Sequence, residues 1–342
     1  MKKIRVAVNG LGRIGRAFLK LAITRPELEL VAINDLADID NLAYLLKYDT
    51  VYGGSGFDIK RVDSFLHVNK QSIKICQEKN PADLPWADLH IDVAVESTGV
   101  FETYEKARAH LRAGAKRVVI SAPIKDEPPQ GVRGATVLMG INDEALAQCD
   151  ISSNASCTTN AASPVMRILN DAFGIEKAML STVHGYTASQ KIVDGPDAKD
   201  WRRGRAAAQN IVPSTTGAAI AVTKAMPELE GNFDGIAFRV PVVTGSIADI
   251  TAVMKREVTS GEVNRILKEA ASETRWKGIY TTTEDPIVSS DIIGSPYAAI
   301  ADLSFTKVVG GNLLKVLSWY DNEMGYTYTL VEHVIKSGRY LS

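Results

Sequence analysis

The sequence predicts two domains of different class: an α/β domain with a parallel sheet, then an α+β domain with a mostly antiparallel sheet. In the first half of the 342 residues, short apolar runs alternate with amphipathic helical patterns, which is typical of β-α-β units. In the second half, β-rich runs follow one another with few helices between them. The length suffices for two hydrophobic cores. We expect the first domain at residues 1–155 and the second at 156–322.

The composition is that of an ordinary soluble enzyme. Hydrophobic residues make up 45% and charged residues 23%, as in ordinary soluble enzymes. Basic and acidic residues nearly balance at a net charge of −1, which gives no signal for a nucleic-acid or membrane partner. The three cysteines suit a reducing compartment, and no apolar run has the pattern of a signal peptide or a membrane span. We therefore expect a cytoplasmic protein.

A glycine-rich motif lies between the first predicted strand, at 4–8, and the first predicted helix, at 17–22. Gly10, Gly12 and Gly15 form a G-x-G-x-x-G pattern in the position where a strand passes into a helix. These glycines permit a tight turn, close approach of a pyrophosphate and tight packing of helix on strand. The motif predicts a Rossmann-type dinucleotide-binding domain.

An acidic residue follows the second predicted strand, at 28–34. Asp35 lies twenty residues after Gly15, where a ribose-binding carboxylate is expected. It would accept hydrogen bonds from the adenosine 2′-hydroxyl and repel a 2′-phosphate, which favours NAD over NADP. The alternative is an aspartate that caps a turn in a domain without nucleotide. Because strand, motif, helix and acid coincide, the sequence favours dinucleotide binding.

The β-α alternation continues as far as residue 121. Its predicted elements are a helix at 41–49, a hairpin of 65–68 and 72–76, a strand at 91–99, a helix at 105–113 capped by Gly114, and a strand at 117–121. The Pro- and Gly-containing residues 125–134 are expected to form a surface loop.

The second half is richer in strands. The predicted strands are 179–183, 233–243, 247–255 and 312–320, and the predicted helices are 218–225, 262–271 and 328–337. Residues 188–212 are mostly polar and basic without periodicity. Such a long irregular stretch in a compact enzyme is usually functional. Its arginines lack interleaved aromatic residues, which makes it a poor signal for nucleic acid.

Cys157 lies in an uncharged segment of small residues, 153–160, between the apolar run 135–139 and a helical pattern that stops at Gly174. The N–H groups and the positive dipole end of a helix N-terminus stabilise a thiolate and bind anions. The alternative is that Cys157 is a small buried hydrophobe. Pro164 lies inside this pattern, and we expect the helix to begin at Cys157 despite it.

His184 ends an apolar run 27 residues after Cys157 and leads into a loop with hydroxyl residues. A Cys–His pair is the usual means of producing a thiolate nucleophile near neutral pH. A single histidine is more often part of the core. We expect that role for the other four histidines, and ordinary packing for two cysteines: His67, His90, His110, His333, Cys76 and Cys149.

Arg239 interrupts an apolar strand, so its charge needs a partner or a ligand. A structural ion pair is the alternative to an anionic ligand. Hydroxyl residues elsewhere in the second half are further candidates for binding an anion, namely Ser156, Thr158, Thr187, Thr215 and Thr216.

Five segments together resemble one enzyme family, the phosphorylating glyceraldehyde-3-phosphate dehydrogenases, and the resemblance covers essentially the whole chain. The segments are 9–16, 153–160, 182–187, 209–219 and 319–323. The second and fourth are hardly found outside that family.

The resemblance implies a mechanism and no metal ion. Cys157 would attack the aldehyde of D-glyceraldehyde 3-phosphate to form a hemithioacetal, with His184 as general base and as donor to the oxyanion. Hydride would pass to NAD, and inorganic phosphate would displace the thioester to give 1,3-bisphosphoglycerate. This is a reaction of glycolysis and gluconeogenesis.

The resemblance also implies the binding residues. The cofactor contacts are Gly10, Gly12, Arg13, Ile14, Gly15, Asp35, Thr98, Ser121 and Asn322. The residues for the substrate's phosphate and the attacking phosphate are Ser156, Thr158, Thr187, Thr216, Gly217 and Arg239. The family further implies a homotetramer in which the loop 186–210 packs against a neighbour's cofactor, and a C-terminal helix at 323–342 that packs back on the first domain.

Two alternatives remain open at this point. Erythrose-4-phosphate dehydrogenase shares the cysteine and histidine but releases an acid, and the segments 184–187 and 319–323 here are of the glyceraldehyde-phosphate type. A non-catalytic binding protein on the same fold is disfavoured because Cys157, His184, Asp35 and Arg239 are all present. Ala161 replaces a second cysteine that many relatives have, and that cysteine has no part in the mechanism.

Overall fold

The computed structural model describes residues 2–198 and 200–341. Its internal contacts divide the chain into two units, Met1–Ala155 with Thr327–Ser342, and Ser156–Tyr326. Each unit has a large sheet of its own: nine strands in the first and seven in the second, within the described residues. The first sheet is mostly parallel and the second mostly antiparallel, which confirms the predicted fold class.

The described part of the first 155 residues contains eleven strands and three α-helices. They are β1 (Ile4–Asn9), α1 (Arg13–Ala22), β2 (Leu28–Asn34), α2 (Ile39–Lys47), β3 (Tyr48–Asp49), β4 (Gly53–Gly54), β5 (Ile59–Val62), β6 (Phe65–Val68), β7 (Gln71–Cys76), β8 (Val93–Glu96), α3 (Tyr104–Arg112), β9 (Arg117–Ile120), β10 (Gly134–Thr136) and β11 (Ile151–Ser153).

The order of strands in this sheet is β10-β11-β9-β8-β1-β2-β7-β6-β5. From β10 to β7 every neighbouring pair is parallel, and β5 and β6 extend the sheet as antiparallel strands. The chain passes from β1 to β2 on one side and later to β8 on the other. Ligands of open α/β sheets bind at such a switch point, outside the carboxyl ends of the strands.

The glycine motif fits the turn between β1 and α1 tightly. Gly10 has φ +93°, a conformation that side chains other than hydrogen rarely allow. A Cβ on Gly15 would lie 1.9 Å from the carbonyl oxygen of Gly10, whereas a Cβ on Gly12 would meet no atom within 4 Å. Gly15 therefore allows the helix to pack on the turn, and Gly12 leaves open space above it.

The second unit continues with strands and helices, and the last helix extends into the residues assigned to the first unit. The elements are α4 (Cys157–Phe173), β12 (Ile175–Gly185), β13 (Val212–Thr215), α5 (Ala218–Ala225), β14 (Phe233–Val240), β15 (Ser246–Met254), α6 (Ser260–Ala270), β16 (Tyr280–Thr283), β17 (Ala299–Val309), β18 (Leu313–Tyr320) and α7 (Met324–Arg339). Short 3-10 turns lie at Pro81–Asp83, Asp143–Gln148, Trp201–Gly204, Pro227–Leu229 and Thr274–Trp276.

The second sheet has the order β13-β14-β12-β15-β18-β17-β16. Its pairs are antiparallel except β12 with β14 and β16 with β17. Residues of β15 alternate strictly between buried and half-buried, as expected where one face of a sheet is covered by helices. Helix α4 contacts β15, β17 and β18, so its N-terminus is placed by the sheet beneath it.

Helix α4 begins at Cys157 and contains Pro164, as expected from the sequence. Pro164 cannot donate to the carbonyl of Asn160, so the helix lacks one internal hydrogen bond there. The oxygen of Ser156 caps the first turn by accepting from the N–H of Thr159 at 3.1 Å. Gly174, at φ +69°, ends the helix.

The structure differs from the sequence pattern at three points. The strand that precedes Cys157 is β11, which has only one large apolar residue. Its two serines are buried because they bond to polar groups elsewhere in the fold, Ser152 to His333 at 2.7 Å and Ser153 to the carbonyl of Ala122 at 2.6 Å. Of the apolar run 135–139, only the first two residues belong to a strand. The helix at 41–49 ends at Lys47, since Tyr48–Asp49 pairs with Gly53–Gly54.

The long strand β17 lies in a stretch for which the sequence predicted no strand. Among the histidines, His110 and His333 are buried as expected. His90 is not a core residue: it is exposed in a turn at φ +49°.

Replacement of Gly15 by alanine should destabilise the protein far more than replacement of Gly12. The added methyl group at position 15 would overlap the Gly10 carbonyl, and overpacking of this kind costs about 1–3 kcal/mol. Urea unfolding of Gly15→Ala and Gly12→Ala measures the difference. Equal losses in the two variants would contradict the packing described for this turn.

Candidate active site

Cys157 is the first residue of α4 and is only partly covered. The hydrogen bonds of Ser156 to the N–H of Thr159 and, at 2.7 Å, to the Thr159 hydroxyl fix the start of the helix. The sulfur consequently lies at the end of the helix where N–H groups are unpaired and the dipole favours negative charge.

His184 lies near the end of β12, with its Nε2 atom 3.3 Å from Sγ of Cys157. Its side chain is almost fully buried. The other ring nitrogen, Nδ1, lies 2.6 Å from the carbonyl oxygen of Gly185. Nδ1 therefore has two neighbours that require opposite tautomers, this carbonyl, which accepts, and Nη1 of Arg239 at 2.5 Å, which can only donate. In the tautomer whose Nδ1–H donates to the carbonyl, Nε2 carries a lone pair directed at the thiol, and this is the tautomer that a general base requires.

Arg239 is the direct neighbour of His184 in the parallel pair β12–β14. Its Nη1 atom lies 2.5 Å from Nδ1 of His184 and 3.3 Å from the carbonyl oxygen of Gly185. No carboxylate among residues 2–198 and 200–341 forms an ion pair with Arg239, so the structure does not support the ion-pair alternative. The guanidinium is a half-buried positive charge beside the Cys–His pair.

The protonation of the pair follows from burial and from this charge. Burial raises the pKa of the Cys157 thiol, and the Arg239 charge together with hydrogen bonds from Thr158 and the local backbone opposes the increase. Burial and the Arg239 charge lower the pKa of His184 to about 3. The imidazole is thus neutral before reaction and ready to accept a proton.

Tyr320 connects the elements that carry the pair, a role that sequence reasoning missed. Its hydroxyl lies 2.9 Å from the Thr158 hydroxyl and 2.7 Å from the Thr182 hydroxyl, which joins α4 to β12. Its ring meets the His184 ring edge-on at 5.9 Å. Burial raises the pKa of Tyr320, so the hydroxyl keeps its proton. The sequence signals are a tyrosine at an inward position of an alternating strand and its place in the segment 319–323.

The other residues predicted to bind phosphate also lie in the second unit. Thr187 follows His184 closely, and its hydroxyl lies 2.9 Å from that of Ser189. Thr216 and Gly217 immediately precede α5, where Thr216 accepts from the N–H of Ala218 at 3.2 Å. Within the described residues, none of these three forms a hydrogen bond to Cys157, His184 or Arg239.

Asn322 has a fixed amide orientation. Its Oδ1 accepts from the Thr244 hydroxyl at 3.1 Å, the N–H of Gly245 at 3.2 Å and the Ser246 hydroxyl at 2.9 Å. Because all three groups donate, the atom that faces them must be the oxygen, Oδ1. Nδ2 therefore points away from them and can donate to another group.

The remaining predicted cofactor contacts follow the carboxyl ends of adjacent strands in the first unit. The glycine motif, Asp35, Thr98 and Ser121 come after β1, β2, β8 and β9, which are neighbours in the sheet. Asp35 accepts from the N–H of Leu11 at 2.7 Å and of Ala37 at 2.9 Å, so it also supports the glycine turn.

Two further residues of this group flank the same turn. Arg13 pairs with Asp49 at 2.9 Å, and both Arg13 and Ile14 are half-buried at the start of α1. The open space at Gly12 and the ribose-type carboxylate at Asp35 together fit a dinucleotide.

Other kinds of site are not found in the described ranges. No group of three or more His, Cys, Asp or Glu residues there could hold a metal ion. None of the helices described is both long enough and apolar enough to cross a bilayer. All three cysteines are unpaired, and burial raises the pKa of Cys76 and Cys149, which accords with packing roles.

Comparison with known proteins covers both units. Residues 4–104 match the family model described as glyceraldehyde 3-phosphate dehydrogenase, NAD binding domain, and residues 156–322 match the model of the C-terminal domain of the same family. The chain belongs to the glyceraldehyde 3-phosphate dehydrogenase family. Its first unit therefore contains the family's NAD-binding domain, and the chain is an NAD-dependent oxidoreductase of this family.

Individual relatives agree along almost the whole chain. The chain is 46% identical to glyceraldehyde-3-phosphate dehydrogenase of Streptomyces coelicolor, over 99% of both chains. It is 45% identical to glyceraldehyde-3-phosphate dehydrogenase 3 of Saccharomyces cerevisiae, over 98% of this chain and 100% of that one. A relative from Escherichia fergusonii is 45% identical over 97% of this chain and 99% of its own.

Removal of the imidazole should slow modification of the thiol. His184→Asn takes away the acceptor at Nε2, and because a positioned base contributes about 10²- to 10⁴-fold, we expect alkylation of Cys157 by iodoacetamide to slow by about 10²-fold at neutral pH. The variant's rate should increase only at alkaline pH, because burial raises the thiol pKa. Mass spectrometry gives the rate at each cysteine, with buried Cys149 as an internal control. Unchanged alkylation at neutral pH would exclude His184 as the acceptor.

Proposed function

We propose that this protein oxidises and phosphorylates D-glyceraldehyde 3-phosphate to 1,3-bisphosphoglycerate, using NAD and inorganic phosphate, in glycolysis or gluconeogenesis. The observation that carries the proposal is the 3.3 Å contact between Sγ of Cys157 and Nε2 of His184 at the N-terminus of α4. Membership of the family supports the same activity.

In the first half of the reaction, His184 moves two protons. Nε2 takes the thiol proton of Cys157 as sulfur bonds to the aldehyde carbon, and the imidazolium returns that proton to the carbonyl oxygen, which gives a hemithioacetal. Bound NAD supplies the hydride acceptor for its oxidation. As the hydride leaves the carbon, Nε2 takes the hydroxyl proton, and the product is a thioester on Cys157.

In the second half, phosphate attacks the thioester carbon and the Cys157 sulfur leaves as a thiolate. The imidazolium of His184 then restores the thiol proton. The helix N-terminus and the Arg239 charge stabilise the thiolate as it leaves. The acyl phosphate is released, and the enzyme returns to its starting protonation.

We assign the two anion sites from the family resemblance and from the helix N-termini. We place the substrate's own phosphate at Thr187 and Arg239, and the attacking phosphate at Ser156, Thr158, Thr216 and Gly217, with Arg239 between the two. Two helix N-termini support this assignment, those of α4 and α5, since their N–H groups bind anions.

The cofactor contacts are those expected from the sequence. Asp35 would bind the adenosine ribose, Nδ2 of Asn322 would donate to the nicotinamide amide, and the turn at Gly12 would admit the pyrophosphate. Arg13, Ile14, Thr98 and Ser121 complete the group.

The assembly we propose is a homotetramer in the cytoplasm. Large apolar side chains are strongly exposed in and beside the loop 186–210: Ile192 at 86%, Val193 at 73%, Trp201 at 87% and Ile211 at 70%. Several strongly exposed apolar side chains in one segment of the sequence support an interface between subunits there. The three unpaired cysteines support a reducing compartment. Light scattering gives the mass, and a monomer would contradict the tetramer.

Formation of NADH over many turnovers should require inorganic phosphate. Without it the thioester on Cys157 is resolved only by water, because no other nucleophile is provided by the proposed site. The assay compares glyceraldehyde 3-phosphate with erythrose 4-phosphate, each with and without phosphate. Sustained turnover of erythrose 4-phosphate without phosphate, faster than that of glyceraldehyde 3-phosphate, would favour the sister activity.

Loss of the charge at position 35 should relax the preference for NAD. Asp35→Asn keeps an oxygen that can accept from the Leu11 N–H but no longer repels a 2′-phosphate. We expect the ratio of kcat/KM for NADP to that for NAD to rise about tenfold, the effect of about 1.4 kcal/mol. Steady-state kinetics with both cofactors measures it. An unchanged ratio would show that Asp35 does not contact the ribose.

A further inference from the structure

Three adjacent strands of the first sheet end in buried polar residues that bond to one another. Asn9 ends β1, Asn34 ends β2 and Glu96 ends β8, and all three are buried. Nδ2 of Asn9 donates to Glu96 at 2.6 Å, and Nδ2 of Asn34 donates to Oδ1 of Asn9 at 2.7 Å. This chain of side chains lies at the edge of the sheet from which the cofactor residues emerge.

One end of the chain is fixed by an indole. Nε1–H of Trp86 can only donate, and it lies 3.0 Å from Nδ1 of His110. Nδ1 is therefore the acceptor, and the proton of the neutral ring is on Nε2. That N–H lies 2.9 Å from Oε2 of Glu96. His110 thus directs a donor at Glu96 and cannot reverse its direction.

The other end is fixed by backbone. Oδ1 of Asn34 accepts from the N–H of Glu78 at 2.8 Å, and Nδ2 of Asn34 donates to the Glu78 carbonyl at 2.9 Å. These two bonds fix the Asn34 amide, which in turn fixes the Asn9 amide with its Nδ2 facing Glu96. Oε2 of Glu96 consequently receives two donors whose directions are both determined elsewhere.

The second oxygen of Glu96 holds a predicted cofactor contact. Oε1 accepts from the N–H of Thr98 at 2.8 Å and from the Thr98 hydroxyl at 2.5 Å. The backbone of Thr98 packs directly on the glycine turn, since a Cβ on Gly10 would lie 2.7 Å from the Thr98 nitrogen. Four donors converge on the two oxygens, a set that only a carboxylate can accept.

We propose that Glu96, oriented by His110 and Asn9, is the positioning residue for NAD: it holds Thr98 against the Gly10 turn in the geometry that the dinucleotide requires. The proposal rests on the proposed use of NAD. A glutamine at position 96 would direct its N–H₂ group at two donors. The hydrogen bonds cannot all change direction to accommodate it, because Asn34 and Trp86 fix their direction at the two ends.

The direct test is Glu96→Gln, which changes one oxygen to an N–H₂ group without changing the shape of the side chain. We expect the Kd for NAD, measured by calorimetry, and the KM for NAD to increase at least tenfold. We expect kcat at saturating NAD and the alkylation rate of Cys157 to stay within twofold, because the thiol lies in the other unit. Unchanged NAD binding in Glu96→Gln would overturn the proposal.

A matched control separates positioning from loss of stability. Ile73→Val removes one methylene from a fully buried residue of the same sheet and should lower the stability to urea without changing the Kd for NAD. If Ile73→Val weakens NAD binding as much as Glu96→Gln does, the effect is general destabilisation and the proposal fails. If the unaltered protein itself does not bind NAD, the proposed function fails instead.

A second variant tests the donor–acceptor pattern directly and remains informative if Glu96→Gln alone does not fold. In Asn9→Asp with Glu96→Gln, the amide and the carboxylate exchange places. The carboxylate at position 9 then accepts from Asn34, from the new amide and from His110, whose Nε2 lies 3.5 Å from Nδ2 of Asn9 in the unaltered protein. We expect the exchange to bind NAD more tightly than either single variant, which is a non-additive effect. Binding no better than in Glu96→Gln, or continued failure to fold, would overturn the proposal.

Discussion

The contact between Cys157 and His184 requires that the first residue of α4 and the last residues of β12 lie side by side in the second unit. Helix α4 presents the sulfur at its first residue, and β12 presents the imidazole near its last. Tyr320 keeps these ends together through Thr158 and Thr182. If either element started or stopped one residue away, the side chains would point elsewhere, because a strand reverses its side chains at each step and a helix rotates them. The chemistry is therefore specified by the ends of secondary structure more than by loops.

The two units use buried polar groups in similar ways. In the second unit, Arg239 interrupts an apolar strand and contacts His184. In the first, Glu96 ends an apolar strand and bonds to four donors. Both charges are costly to bury without partners, and both have partners that fix a direction. A charge in an otherwise apolar strand was a useful sequence signal at Arg239, and it applied equally at Glu96, where it was overlooked.

The sequence was informative where the chemistry is local. The glycine motif and the start of α4 depend on neighbours within a few residues, so their patterns predict them directly. Strand β11 could not be recognised, because its stability depends on pairing with β9 and β10 and on polar contacts of its serines with distant residues. The role of Tyr320 depends on Thr158 and Thr182, 162 and 138 residues away in the chain. Such contacts exist only once the fold brings them together.

The neighbours of Nδ1 of His184 are the Arg239 guanidinium and the backbone carbonyl of Gly185, where many catalytic histidines have a carboxylate. A carbonyl has a dipole but no net charge. The neighbouring charge with the largest effect on the pKa of both Cys157 and His184 is the positive one of Arg239. We therefore expect the positive charge beside Cys157 to favour the binding of dianions there. The reaction we propose brings a phosphorylated aldehyde and then a free phosphate to one sulfur, and an aspartate beside the histidine would oppose both steps.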